Sequence, residues 1–336
     1  MIVGDAVRRL PVRLNLLGKS FFLLVSIVVV AGRASATPDR ERPVASVLFE
    51  RFETVFYSKS DLLSASQPYH QVSTQEANYL RFPFAYLSKG LDSAGKQISA
   101  EMLESAAAVF VGARDFQPPK GLGGVRSQRC YVVILGDHNA FQLQKYFHQA
   151  PQSSAAGSPV WKWSAKLGEF GEGDPKPSSL YSTQIGQSYV LVSNDLSELQ
   201  TTADRLSSSN QDALVLAGIR EWDTVRQHDI WGYRRYRHSG ITDPVAAGMS
   251  DVTPAAESLI FFVDADKKVG VLRLLASDNS TADKINSAMA SARSVFPPLK
   301  TSGGGASETM IPFAGDEATS ERMFMVMGLF GFGIYL

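Results

Sequence analysis

SLYSTQIGQSYVLVSNDLSELQTTADRL, residues 179–206, holds the pattern from which the fold is read. Two runs, SLYSTQI and SYVLVSN, flank Gly186-Gln187, and Asn194-Asp195 stands before LSELQTTADRL. Strand-like runs joined by so short a turn must pair antiparallel, and an Asn or Asp ahead of a helix-forming stretch announces a cap.

The same order recurs on either side. Upstream, AVFVGARDF and RCYVVILG flank a glycine-rich turn at Gly121 to Gly124, and Asp137 precedes HNAFQLQKYF. Downstream, SLIFFVDA and VGVLRLLAS are joined by Asp266-Lys267-Lys268, and Ser277 to Ser280 precede TADKINSAMASA. The predicted fold class is α+β: an antiparallel sheet, or sheets, built from repeated β-β-α units with helices covering one face. Ahead of it, Val44, Val47, Leu48, Phe52, Val55 and Phe56 recur at helical spacing and predict an N-terminal helix over 43–57, with Pro43 in its first turn. Glycine, proline and serine in Gln149 to Pro159 and in Gly168 to Ser179 predict loops. Ser302 to Gly305 predicts a mobile linker.

The first thirty-six residues predict export. Arg8, Arg9, Arg13 and Lys19 lead into the apolar run Phe21 to Gly32, followed by Ala34-Ser35-Ala36. Basic, apolar and A-x-A regions in that order make a signal peptide with cleavage after Ala36, leaving a periplasmic or extracellular protein. The rival reading is an uncleaved anchor, but twelve apolar residues make roughly 18 Å of helix against a hydrocarbon core of about 30 Å. The predicted organisation is signal peptide 1–36, a first α+β half 37–150, a second 151–301, and 302–336 as linker and apolar C-terminal strand.

Composition narrows the function classes. The chain has 33 basic and 33 acidic residues; the leader holds five basic and one acidic, so the mature chain carries 28 against 32. That balance argues against a nucleic-acid partner. Cys130 is the single cysteine, so no intramolecular disulfide, thiolate metal site or CxxC redox pair can form. It shares a strand face with Val132 and Ile134, which predicts a buried structural thiol.

Candidate chemistry is sparse. The histidines, His70, His138, His148, His228 and His238, show no H-E-x-x-H or other ligand spacing, and no cofactor or metal motif is present. Gly248-Met249-Ser250-Asp251 is only a partial nucleophile elbow. Asp264 and Asp266, with Glu257 near, read either as turn residues or as paired carboxylates. The candidate binding face is Trp231, Tyr233, Arg235 and Arg237, which alternate onto one side of a strand and place aromatic bodies beside guanidinium forks suited to an envelope component, a glycan or a protein. The competing reading is a charged edge strand that deters aggregation. Trp161 and Trp163 form a similar ladder in VWKWSAKL. Met323 to Leu336, MFMVMGLFGFGIYL, is uncharged and reads as a buried strand or as a membrane or partner contact.

YVLVSNDLSELQTTADRL and SLIFFVDADKKVGVLRLLAS resemble an uncharacterised group of exported bacterial proteins in which a strand ending in Ser-Asn-Asp leads into a helix after paired strands. The resemblance implies an envelope location and no known activity. The expected function is a non-catalytic envelope or secreted binding protein. The alternatives are a hydrolase with dispersed active-site residues and a membrane-associated assembly factor.

Overall fold

The computed structural model describes residues 38–59, 101–102, 105–115, 129–136, 142–167, 176–208, 213–236, 256–264, 269–291 and 298–312. Backbone contacts divide the chain into Met1–Arg42 and Pro43–Leu336. The signal-peptide region 1–36, Ser250 and the C-terminal segment 323–336 lie outside the described residues.

The first helix, α1, runs over Pro38–Arg51, so it starts earlier and stops sooner than the periodicity predicts. Val55 and Phe56 belong instead to β1 (Thr54–Lys59), because strands pair with this segment on both sides. The order then continues β2 (Ala108–Asp115), β3 (Arg129–Gly136), a 3-10 turn (Leu143–Tyr146), β4 (Ser153–Ala155), β5 (Ser158–Leu167), β6 (Lys176–Ile185) and β7 (Tyr189–Ser193). Three helices follow: α2 (Leu196–Ser207), α3 (Ala213–Ala217) and α4 (Trp222–Val225). Next come β8 (Ile230–Arg235), β9 (Ala256–Val263), β10 (Val269–Ala276), α5 (Asn279–Ser291), β11 (Lys300–Gly303) and β12 (Ala306–Pro312).

The α+β reading, with β-β-α units and helices on one face, is overturned. Among the described residues the strands form one antiparallel sheet of twelve, in the order β11-β12-β10-β9-β8-β1-β2-β3-β7-β6-β5-β4. Where the first unit is predicted to have a helix, the described residues form a 3-10 turn, Leu143–Tyr146. Both faces are buried: in β3, Val132, Val133, Ile134 and Leu135 are all 0% exposed although neighbours point to opposite sides. One face packs under α1 and α2, with Phe49, Phe52, Leu199 and Ala203 in one cluster with Val132, Ile134, Leu275 and Ala306. Ser307, adjacent to Ala306, points the other way and donates to the Ala282 carbonyl of α5, so α5 covers the opposite face. Continuous apolar runs are the signature of strands buried on both sides.

Outward from the central β1–β8 pair the order repeats: β1-β2-β3-β7-β6 on one side and β8-β9-β10-β12-β11 on the other, with β5-β4 extending the first. The ends of the central ladder match under a local twofold: Arg235 N donates to Glu53 O at 2.9 Å and Lys59 N to Asp229 O at 3.0 Å. The repeat is thus two five-stranded halves and not three β-β-α units.

Two glycines are required by packing. A Cβ on Gly112 would sit 2.7 Å from the Phe52 ring and 2.9 Å from Leu48, so the absent side chain lets α1 lie on β2. Gly305 has φ 76°, and a Cβ there would meet the Ala276 carbonyl oxygen at 2.5 Å. It closes the β11–β12 hairpin with Gly303 and Gly304, so Ser302 to Gly305 is a tight turn and not a linker. Similarly, Gln149 to Pro159 contains β4 and the start of β5, and Lys176 to Ser179 is strand. Caps follow from local chemistry: Asp195 Oδ1 accepts from Glu198 N–H, and Asp278 Oδ1 from Thr281 N–H, each at 2.7 Å. The backbone bond from Thr281 holds the exposed Asp278 carboxyl below its ordinary range.

Candidate functional site

The residues predicted to form a binding face lie in the interior. β8 is a central strand, paired with β1 and β9, and not an edge. Trp231 and Tyr233 are 1% and 2% exposed. Trp231 stacks on Tyr57 across the β1–β8 ladder at 5.4 Å and meets Trp222 of α4 edge-on at 5.4 Å, while Phe49 of α1 packs against Tyr233 at 5.3 Å. The Tyr233 hydroxyl donates to Ser258 Oγ at 3.2 Å. Arg235 donates to the carbonyls of Phe49 and Phe52, placing a cation on the unsatisfied C-terminal end of α1. Arg237 lies outside the described residues. The alternation is real, but it selects a core face. Trp161 and Trp163 are also largely buried, packed on Phe147 at 5.4 and 4.9 Å.

Charge is buried at one place that the sequence does not signal. The Glu198 side chain is 1% exposed and is gripped by two guanidinium groups. Arg51 Nε donates to Oε1 at 2.5 Å and Arg51 Nη2 to Oε2 at 3.1 Å; Arg114 Nη2 also donates to Oε2. The hydrogen bond to Glu198 holds the Arg51 guanidinium above its ordinary range. This clasp ties the end of α1, strand β2 and the first turn of α2 together. In the other half Arg273 bridges Glu221 and Glu308, with Arg273 Nε to Glu308 Oε2 at 2.8 Å. Both clusters join elements that carry the core.

Cys130 lies near the Glu198 clasp at 0% exposure, and burial pushes its thiol up to about 12 from an ordinary 9.0. The folded state therefore keeps the proton where the unfolded state gives it up, and this group's contribution to stability is lost as pH rises from about 9 towards about 12. At pH 8 a thiol reagent should label Cys130 only as fast as the protein unfolds; prompt stoichiometric labelling of native protein would show an accessible thiolate instead.

A second pairing joins residues far apart in sequence. His228, in the turn between α4 and β8, has Nδ1 2.8 Å from Asp264 Oδ1 at the end of β9. Its ring stacks on Phe262 with centroids 4.1 Å apart. The Asp264 carboxylate facing Nδ1, with the stack on Phe262, fixes the orientation of the ring. Of the other acidic candidates, Glu257 pairs with Arg220 at 3.4 Å and Asp266 lies outside the described residues. Among the described residues no group of three or more His, Cys, Asp or Glu side chains could hold a metal ion.

The open part of the sheet is at its β10–β12 end. Register pairs Val269 with Pro312 and Val271 with Met310, so all four side chains share one face. Met310 is 62% exposed and Val269 39%, in a sheet whose other large apolar side chains are mostly buried. The same face continues into Arg273 and Glu308, which are paired with each other.

These features define a two-sided antiparallel sheet protein with internally clasped charges and one exposed apolar end. No protein-family model matches the chain, and no curated protein matches it. Among solved structures it is similar to crystal form I of TP0453, with TM-score 0.41 and 6% identity over 85% of this chain and 97% of that one. Crystal form III of TP0453 gives 0.42 and 9% over 84% and 97%, and crystal form IV gives 0.36 and 9% over 82% and 92%. At these values the likeness assigns neither a fold nor a function to this chain.

Proposed function

We propose that the protein is an exported, non-catalytic interaction protein of the envelope or the secreted fraction. The observation that carries this reading is the N-terminal order of basic residues, the apolar run Phe21 to Gly32, and Ala34-Ser35-Ala36. The exposed Met310 and Val269 supply a surface for contact. The hydrolase alternative draws on the His228–Asp264 pair, but no hydroxyl is bonded to His228 Nε2 among the described residues.

The test is to express the full chain in a bacterial host, fractionate the cells and read the N-terminus by mass spectrometry. A chain starting at Thr37 in the soluble periplasmic or secreted fraction is expected. Intact Met1 in the membrane fraction overturns the reading and makes the apolar run an anchor.

A further inference from the structure

We propose that the outer edge of β5 takes an added strand from an extended peptide of another protein, with acidic side chains opposite Lys162 and Lys166. The proposal rests on the interaction reading and adds a second surface to it, at the other end of the sheet from Met310 and Val269.

The edge follows from strand register. β6 pairs with β5 from Val160 to Leu167, whereas β4 covers only Ser158 to Val160. The Val160 carbonyl faces the β4 side, where it accepts from Gln152 N–H at 2.8 Å. Alternation therefore turns the main-chain groups of Lys162, Ser164 and Lys166 outward, and no described residue pairs with them. Lys162 to Leu167 offers roughly 20 Å of strand at about 3.3 Å per residue. Other edges of the sheet are closed. The Ser154 carbonyl of β4 accepts from Gln200 Nε2 of α2 at 3.0 Å. At the far end β11 has four residues, and its Thr301 is held by Asp283 and Asn286 of α5 at 2.5 and 2.8 Å. Open main-chain groups in a row bind an extended peptide by completing the ladder.

Charge selects the occupant. Strands β4, β5 and β6 carry Lys162, Lys166 and Lys176 and no Asp or Glu, in a mature chain whose acidic residues outnumber the basic ones by 32 to 28. A second copy fits badly. Twofold pairing about Ser164 would set Lys162 opposite Lys166 twice, and like charges directly opposite destabilise a ladder. Asp or Glu at those two positions of an incoming strand makes both pairs attractive. Lysine on this edge thus refuses self-association and admits an acidic strand.

The probe is a fluorescent eight-residue peptide of alternating glutamate and valine, titrated with the purified mature chain and read by anisotropy. Saturable binding is expected, and a peptide of alternating lysine and valine should not bind. Lys162→Glu combined with Lys166→Glu should weaken the glutamate peptide at least about tenfold. Ser164→Pro should abolish binding while melting close to the parent, because the lost N–H faces outward on an edge. Methylating the ladder-forming nitrogens of the peptide should also abolish binding, and this control leaves the protein unaltered if Ser164→Pro fails to fold. The proposal is overturned if the glutamate peptide does not bind, if the methylated peptide binds as well, or if charge reversal changes nothing. It is equally overturned if the chain self-associates and Ser164→Pro dissociates it, which makes the occupant a second copy. Since the assay uses purified mature chain, its failure leaves the export reading standing, and a failure of export leaves the peptide result intact.

Discussion

Trp231→Ala is expected to cost about 3–5 kcal/mol of folding stability, read from chemical denaturation of the purified protein. The indole is 1% exposed and sits between Tyr57 and Trp222 with centroids 5.4 Å from each, and 6.2 Å from Phe49. Its removal leaves a cavity lined by rings from α1, α4 and β1, the elements that meet at the centre of the sheet. Rigid rings held by two helices and a strand cannot collapse far, so the cavity cost adds to the lost transfer energy. A tryptophan on a binding face would behave differently: its loss would weaken ligand binding and change stability by less than about 0.5 kcal/mol. Full stability in Trp231→Ala would therefore restore β8 as a surface strand and contradict the packing described above.

Glu198→Ala should be nearly as damaging, at about 3 kcal/mol, because it removes one partner of a buried charge cluster. Arg51 and Arg114 would then face each other with no carboxylate between them. Their side chains are 24% and 36% exposed, so water screens part of the repulsion and the loss belongs at the lower end of the range for broken buried pairs. Glu198→Ala combined with Arg114→Ala should recover part of the loss by relieving the unpaired charge, which a double-mutant cycle would measure. If the single variant melts with the parent, the clasp contributes nothing and α1 is held by apolar packing alone.

Both predictions concern contacts that no local pattern announces. Glu198 stands 147 residues from Arg51 and 84 from Arg114, and in sequence it is an ordinary third residue of a capped helix. His228 and Asp264 are 36 residues apart and carry no motif spacing. Trp231, Tyr233, Arg235 and Arg237 do alternate as a strand face does, but a period of two says only that side chains share a side. Whether that side meets water depends on the neighbouring strands and on what lies above them. The sequence does carry one signal of the interior: RCYVVILG and SLIFFVDA are continuous apolar runs, and such runs mark strands buried on both faces. Cys130, Val132 and Ile134 share one face of that strand, and Val133 and Leu135 on the other face are buried as well.

What the sequence by itself determined is local: the turn at Gly186, the Asp195 cap, the single cysteine and its apolar strand, and the leader-like order of the first thirty-six residues. These depend on dihedral preferences and hydrogen bonds between residues a few positions apart, so composition and spacing reveal them. Only the tertiary structure decided that β1 and β8 meet at the centre of one twelve-stranded sheet, that Arg235 is spent on the end of α1, and that Met310 and Val269 remain exposed. Those outcomes are set by which distant segments pack together, and the burial energy that selects them depends on area removed from water, whatever the separation along the chain.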